Sequence, residues 1–152
     1  RGIDPDRLIF AAKVSVSEHL ARLPLAYLML DNWPCNAHTT ASDALWAGLP
    51  VVTFMGQTFA SRVAGSLLNA VGLSELATES LAAYRAKVLA LAADPAERAR
   101  IRAQLAEARD QAPLFDSARY TADLEQLLER MVVRRDHGAR ATHLAAIDAR
   151  PA

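Results

Sequence analysis

Residues 36 to 43 read Asn36-Ala37-His38-Thr39-Thr40-Ala41-Ser42-Asp43, directly ahead of an apolar run that ends in Gly48-Leu49-Pro50. They offer an imidazole, two adjacent hydroxyls and, one helical turn later, a carboxylate. Such groups suit a phosphate if a helix begins here. The first turn of a helix carries unpaired N–H groups and a partial positive charge. Thr39 and Thr40 would add hydroxyl donors, and Asp43 in that turn would reach a ligand hydroxyl. The same residues also read as a plain helix cap. Thr40-x-x-Asp43 has capping-box spacing, with Asp in place of Glu or Gln. Spacing alone favours the cap, because caps are common, and the two readings are compatible. A lone histidine such as His38 or His19 is more often packed or hydrogen-bonded than a ligand group.

Other chemical signatures are weak. The sequence has no P-loop, no G-x-G-x-x-G, no G-x-S-x-G and no H-E-x-x-H. Asp4-Pro5-Asp6 fits a D-x-D metal pattern but lies in the lead before the first element, so it carries little weight. No carboxylate pair is placed for acid–base work. Lys+Arg and Asp+Glu number 17 each, for a formal net charge of +0. That balance argues against a nucleic-acid partner, which calls for a basic excess, and leaves a small anionic ligand open. Cys35 is the single cysteine, so no internal disulfide and no cysteine-based zinc site is expected, and a reducing, cytoplasmic setting is. No apolar run nears the roughly 20 residues of a membrane span. The chain opens on Arg1 with no signal peptide, and reads as a piece of something longer.

The elements that must position these residues follow from the apolar pattern. With 152 residues, 52% hydrophobic and 22% charged, the chain should fold around a core. Apolar runs predict strands at Arg7–Ala12, Ala26–Leu30 and Val51–Met55. Helices are expected at Ser15–Leu23, capped by Ser17, and at Thr40–Gly48. Further helices are expected at Ser61–Val71, at Ser80–Ala92, after the Asp94 cap with Pro95 at its first position, and at Ser117–Met131. In the cap at Asp94, Glu97 should reach back. Tyr120, Leu124, Leu127, Leu128 and Met131 form the apolar stripe of the last helix. Trp46 should be core, while Trp33 is undecided. Residues 132–152, with Arg134, Arg135, Arg140 and Arg150, read as a flexible solvated tail. Strands alternating with helices imply a partial, Rossmann-like α/β domain with a parallel sheet. Ligands in such sheets bind beyond the C-terminal strand ends. The loop with His38, Thr39 and Thr40 leaves one such end, and the loop with Ser15, Ser17 and His19 leaves another.

The run "CNAHTTASDALWAGLPVVT", followed by "ASRVAGSLL", resembles the C-terminal lobe of the protein O-GlcNAc transferase-like glycosyltransferases, family 41, with the two-lobed glycosyltransferase B architecture. The likeness extends from "RLIF" through "SEHLAR" to "PLFDSARYTADLEQLLERM", covering most of Arg7 to Met131. It implies a nucleotide-sugar-binding lobe over residues 1–131. It also implies transfer of N-acetylglucosamine from UDP-GlcNAc to serine or threonine of proteins, with inversion and without a required metal or other cofactor. The family's His-Thr-Thr loop, which meets the donor's diphosphate and sugar, matches His38, Thr39 and Thr40. The ribose-binding aspartate matches Asp43. The Glu-His pair matches Glu18-His19, placing His19 against the uracil. Arg22 stands where the family often has arginine, and Val14 where backbone meets the base. Val16 replaces a nucleoside-binding lysine of animal relatives.

The family's catalytic lobe, its helical repeats for protein substrates and a diphosphate-neutralising lysine have no counterpart in this chain. The resemblance therefore implies half of an active-site cleft, inactive in isolation, with acceptors held by upstream regions. Alternatives within the architecture are a peptide N-glucosyltransferase or another lobe of the same type, and outside it a non-catalytic nucleotide-binding or scaffolding module.

Overall fold

A computed structural model describes residues 2–144. Three short strands form a parallel sheet in the order β1 (Met29–Leu30), β2 (Val51–Phe54), β3 (Ala77–Thr78). Met29 and Leu30 pair with Val51 and Val52, and Thr53 and Phe54 pair with Ala77 and Thr78. The helices are α1 (Val16–Arg22), α2 (Thr39–Trp46), α3 (Val63–Ala70), α4 (Leu81–Ala93), α5 (Pro95–Gln111) and α6 (Ser117–Asp136). The α/β class and the parallel sheet are as expected.

Two of the expected strands changed. Arg7–Ala12 is not a strand: Arg7 ends a 3-10 turn, and Ile9 and Phe10 are 90% and 91% exposed. An apolar run becomes a strand only where a sheet edge accepts its N–H and C=O groups, and no described segment pairs with this one. The Ala26–Leu30 strand shrinks to its last two residues, because a 3-10 turn occupies Leu23–Leu25 and its cap is Ala26. The unexpected β3 is only two residues long, too short to show periodicity.

The core lies between β2 and the helices. Val51 and Val52 are fully buried with Leu45 of α2, Leu68 of α3, and Ile101 and Leu105 of α5; Leu91 of α4 closes the cluster. β2 is buried at Val51, Val52 and Thr53 and half-buried at Phe54, because it is the central strand. Gly48 (φ 78°) ends the α2 turn and Gly72 (φ 73°) the α3 turn, where a side chain would strain the backbone.

Several local signals differ in detail. Ser15, not Ser17, caps α1. Asp94 caps α5 by accepting the Glu97 N–H at 2.9 Å, but the Glu97 carboxylate turns to Arg100 at 2.7 Å instead of reaching back. Trp46 is 46% exposed and packs edge-on against Phe115 at 5.1 Å, so it borders the core instead of filling it. Trp33 stacks on Phe54 at 5.5 Å and stays mostly exposed. The stripe of α6 is exposed at Tyr120, Leu124, Leu128 and Met131. α6 continues through residues 132–136 of the expected tail, and Arg150 with the rest of 145–152 lies outside the described residues.

Candidate functional site

The chain leaves β1 at Leu30 and reaches α2 at Thr39 through the loop 31–38. This loop is built on Asp31, which is 8% exposed. Its N–H donates to Val52 C=O at 3.1 Å, extending the pairing with β2 by one residue. Its Oδ1 accepts the N–H groups of Asn32 (2.8 Å) and Ala37 (2.7 Å), and its Oδ2 accepts the Thr53 hydroxyl at 2.6 Å. Asn36, also buried, donates from Nδ2 to the carbonyls of Asn32 (2.9 Å) and Phe54 (3.4 Å). Its Oδ1 stands buried without a donor among the described residues.

α2 therefore starts at a defined place. His38 is its N-cap by backbone position, and its carbonyl accepts the N–H groups of Ala41 and Ser42, both at 3.1 Å. Among the described residues no side chain caps the helix, so the capping-box reading of Thr40 and Asp43 is corrected. The helix begins one residue early, which puts Thr40 inside the first turn instead of at the cap. The N–H groups of Thr39 and Thr40 have no acceptor among the described residues, as first-turn amides do without a cap. Thr39 and Thr40 are exposed and Asp43 half-buried, and none makes a side-chain hydrogen bond there. The His38 ring packs edge-on against Phe59 at 6.1 Å. Phe59 belongs to the loop after β2, which Gly56 and Ser61 close through a 2.9 Å backbone bond.

His19 and Arg22 come together on α1. Arg22 Nη2 donates to His19 Nδ1 at 2.9 Å, and its Nη1 donates to the Ala12 carbonyl at 2.9 Å. Ser15 and Glu18 hold the other end of this helix. The Ser15 N–H and hydroxyl donate to the Glu18 carboxylate at 3.0 and 2.6 Å. Those bonds, the hydroxyl's first, hold the Glu18 carboxyl below its usual range. The site residues thus form two groups, His19 with Arg22 and His38–Thr40 with Asp43. No hydrogen bond joins the groups among the described residues.

The sequence places Asn36 in the loop before α2 but does not single out Asp31, Thr53 or Tyr84 as site residues; the Tyr84 hydroxyl donates to the Asp31 carbonyl at 3.2 Å. Asp31 and Asn32 read there only as the end of a strand. A polar pair at the C-terminal end of a strand was the one available signal. Among the described residues no group of three or more His, Cys, Asp or Glu side chains is placed to hold a metal. The Asp4 carboxylate caps a 3-10 turn by accepting the Asp6 N–H at 3.0 Å. Among the described residues no helix is long and apolar enough to cross a membrane.

A parallel α/β sheet with an uncapped helix N-terminus beyond its strand ends defines a candidate anion-binding α/β unit. The family model of glycosyl transferase family 41 matches residues 1–124, and the chain belongs to that family. It is 39% identical over 144 residues to a UDP-N-acetylglucosamine–peptide N-acetylglucosaminyltransferase of Caenorhabditis elegans, covering 95% of this chain and 12% of that protein. A probable enzyme of the same description from Arabidopsis thaliana is 36% identical over 149 residues, 97% of this chain and 15% of its own length. A solved structure of a Thermobaculum terrenum O-GlcNAc transferase mutant superposes with a TM-score of 0.81 at 33% identity, over 86% of this chain and 25% of that one. The chain thus spans about an eighth of the length of the nematode relative.

Proposed function

We propose that this chain is the donor-nucleotide part of a cytoplasmic glycosyltransferase that moves N-acetylglucosamine from UDP-GlcNAc to serine or threonine hydroxyls of proteins. The observation that carries this is the first turn of α2. Among the described residues its two leading amides lack acceptors, and the Thr39 and Thr40 hydroxyls beside them are exposed and unengaged. A diphosphate would be met there by N–H and hydroxyl donors, with no metal. Asp43 would accept from the ribose, His38 would face the diphosphate and sugar, and His19 with Arg22 would hold the uracil. The names of the relatives support the donor and the peptide acceptor. A single, exposed Cys35 suits a reducing compartment.

Chemically, this part would serve the leaving group. As the anomeric C–O bond breaks, negative charge grows on the UDP phosphate. Donors already aimed at it stabilise that charge without reorganising. The transfer itself would be an inverting displacement by the acceptor hydroxyl, using groups outside this chain. Alone, the chain binds UDP and turns over nothing.

The test is calorimetry with UDP on the full-length protein and its Thr39→Ala/Thr40→Ala variant. Binding should weaken about tenfold or more in the variant, in line with lost hydrogen bonds to a charged ligand. Equal affinity would overturn the site. Mass spectrometry of an acceptor peptide incubated with UDP-GlcNAc or UDP-glucose identifies the sugar: a mass gain from UDP-glucose alone would overturn the N-acetylglucosamine assignment.

A further inference from the structure

We propose that Asp31 is a positioning residue of the donor site, fixing the start of α2 against the sheet so that Thr39 and Thr40 face the ligand. This rests on the reading that α2 holds the donor's diphosphate. The arrangement divides labour between residues that hold and residues that present. Thr39, Thr40 and Asp43 leave their side chains without partners among the described residues, whereas every polar group of Asp31 is engaged.

The connection to α2 is short. Ala37, whose N–H ends on Asp31 Oδ1, immediately precedes His38, and the His38 carbonyl receives the first two hydrogen bonds of the helix. One carboxylate oxygen thus closes the loop from residue 31 to residue 37. The other oxygen ties that loop to β2 through Thr53, whose carbonyl in turn accepts the Thr78 hydroxyl at 2.9 Å. The tie crosses all three strands. Asn36 pins the same loop from the far side, with its N–H on the Ala60 carbonyl at 2.8 Å.

The carboxylate is buried among dipoles. Two amides and one hydroxyl satisfy it, and no Lys, Arg or His side chain bonds to it among the described residues. Buried polar groups left without partners are costly. Any arrangement that breaks the Asp31 bonds leaves a buried carboxylate unpaired, which favours the bonded turn, so that a ligand meets a preformed turn instead of ordering one itself.

Asp31→Asn keeps the shape and removes the charge. In the full-length protein it should weaken UDP binding about tenfold and raise donor KM to match, with acceptor KM unchanged. Thr53→Val should act in the same direction, and Thr53→Ser should restore the parent value. Amide hydrogen exchange reads the turn directly: Asp31→Asn should speed exchange at Ala37, and at Ala41 and Ser42 whose N–H groups rest on the His38 carbonyl, while leaving α3 unchanged. A variant that only lowers Tm, with parent affinity for UDP and parent exchange at Ala37, overturns the proposal. If the parent itself binds no UDP, the donor reading fails, and exchange at Ala37, Ala41 and Ser42 still decides whether Asp31 sets the turn.

Discussion

Arg22 donates to Nδ1 of His19 from one arm of its guanidinium and to the Ala12 carbonyl from the other, both at 2.9 Å. Arginine has only donors, so Nδ1 accepts, and the neutral ring then carries its proton on Nε2. The same guanidinium orients the imidazole and ties the chain entering α1 to the end of that helix. Arg22→Ala should therefore weaken binding of UDP and of uridine alike, by about tenfold. Inorganic pyrophosphate should bind unchanged. Calorimetry with the three ligands checks this, and a loss confined to pyrophosphate would place Arg22 at the phosphates instead.

Asp43 sits one turn into α2, half-buried, with no side-chain partner among the described residues. An acceptor aimed at a ribose hydroxyl discriminates against ligands that lack it, because its own hydrogen bond then goes unmade. Asp43→Asn should shrink the affinity ratio between UDP and its 2′,3′-dideoxy analogue by about tenfold. A ratio unchanged in competition binding would remove Asp43 from the ribose.

Gly56 has no room for a side chain. A Cβ there would stand 2.5 Å from Ser61 Oγ and 2.9 Å from Ser61 Cβ. Ser61 is buried and caps reciprocally with Thr58, so it has nowhere to move. Gly56→Ala should cost about 1–3 kcal/mol in chemical denaturation, as overpacking does. It should also loosen Phe59, and with it the His38 ring, which NMR of the His38 side chain would show as a changed ring environment. A wild-type denaturation midpoint would mean that the loop yields freely.

The Tyr84 phenol is pushed above its usual range, first by burial and then by the charge of Asp31. The neutral phenol is the form that the fold favours. Stability from this group is therefore complete below about pH 10, the unfolded value, and falls as the pH rises from there toward the folded value. Tyr84→Phe should flatten the alkaline arm of a Tm-against-pH profile and leave the profile below pH 9 parallel to the parent's. A parallel alkaline arm would mean that Tyr84 does not titrate in the fold's favour.

The residues proposed to face a ligand stand close together in the linear chain, while most of those that hold them do not. His38, Thr39, Thr40 and Asp43 lie within six consecutive residues, and His19 and Arg22 are one helical turn apart. Each group is local in the chain, Arg22 one turn after His19 on α1 and Asp43 one turn into α2, but the resemblance to the family, not the spacing, singled them out as ligand residues. The helix stripes at Ile101 and Leu105 and the stops at Gly48 and Gly72 were equally local. Which edge an apolar run pairs with is a different kind of fact. "RLIF" has the composition of a strand and remains exposed, while Ala77–Thr78 has almost no pattern and completes the sheet. Strand pairing joins residues far apart in sequence, and composition does not encode the partner. Thr53 meets Asp31 across 22 residues and Tyr84 meets it across 53. Only the folded sheet brings those groups into one bonded set. The sequence by itself determined what could touch a phosphate, and the tertiary structure decided what keeps those residues in place.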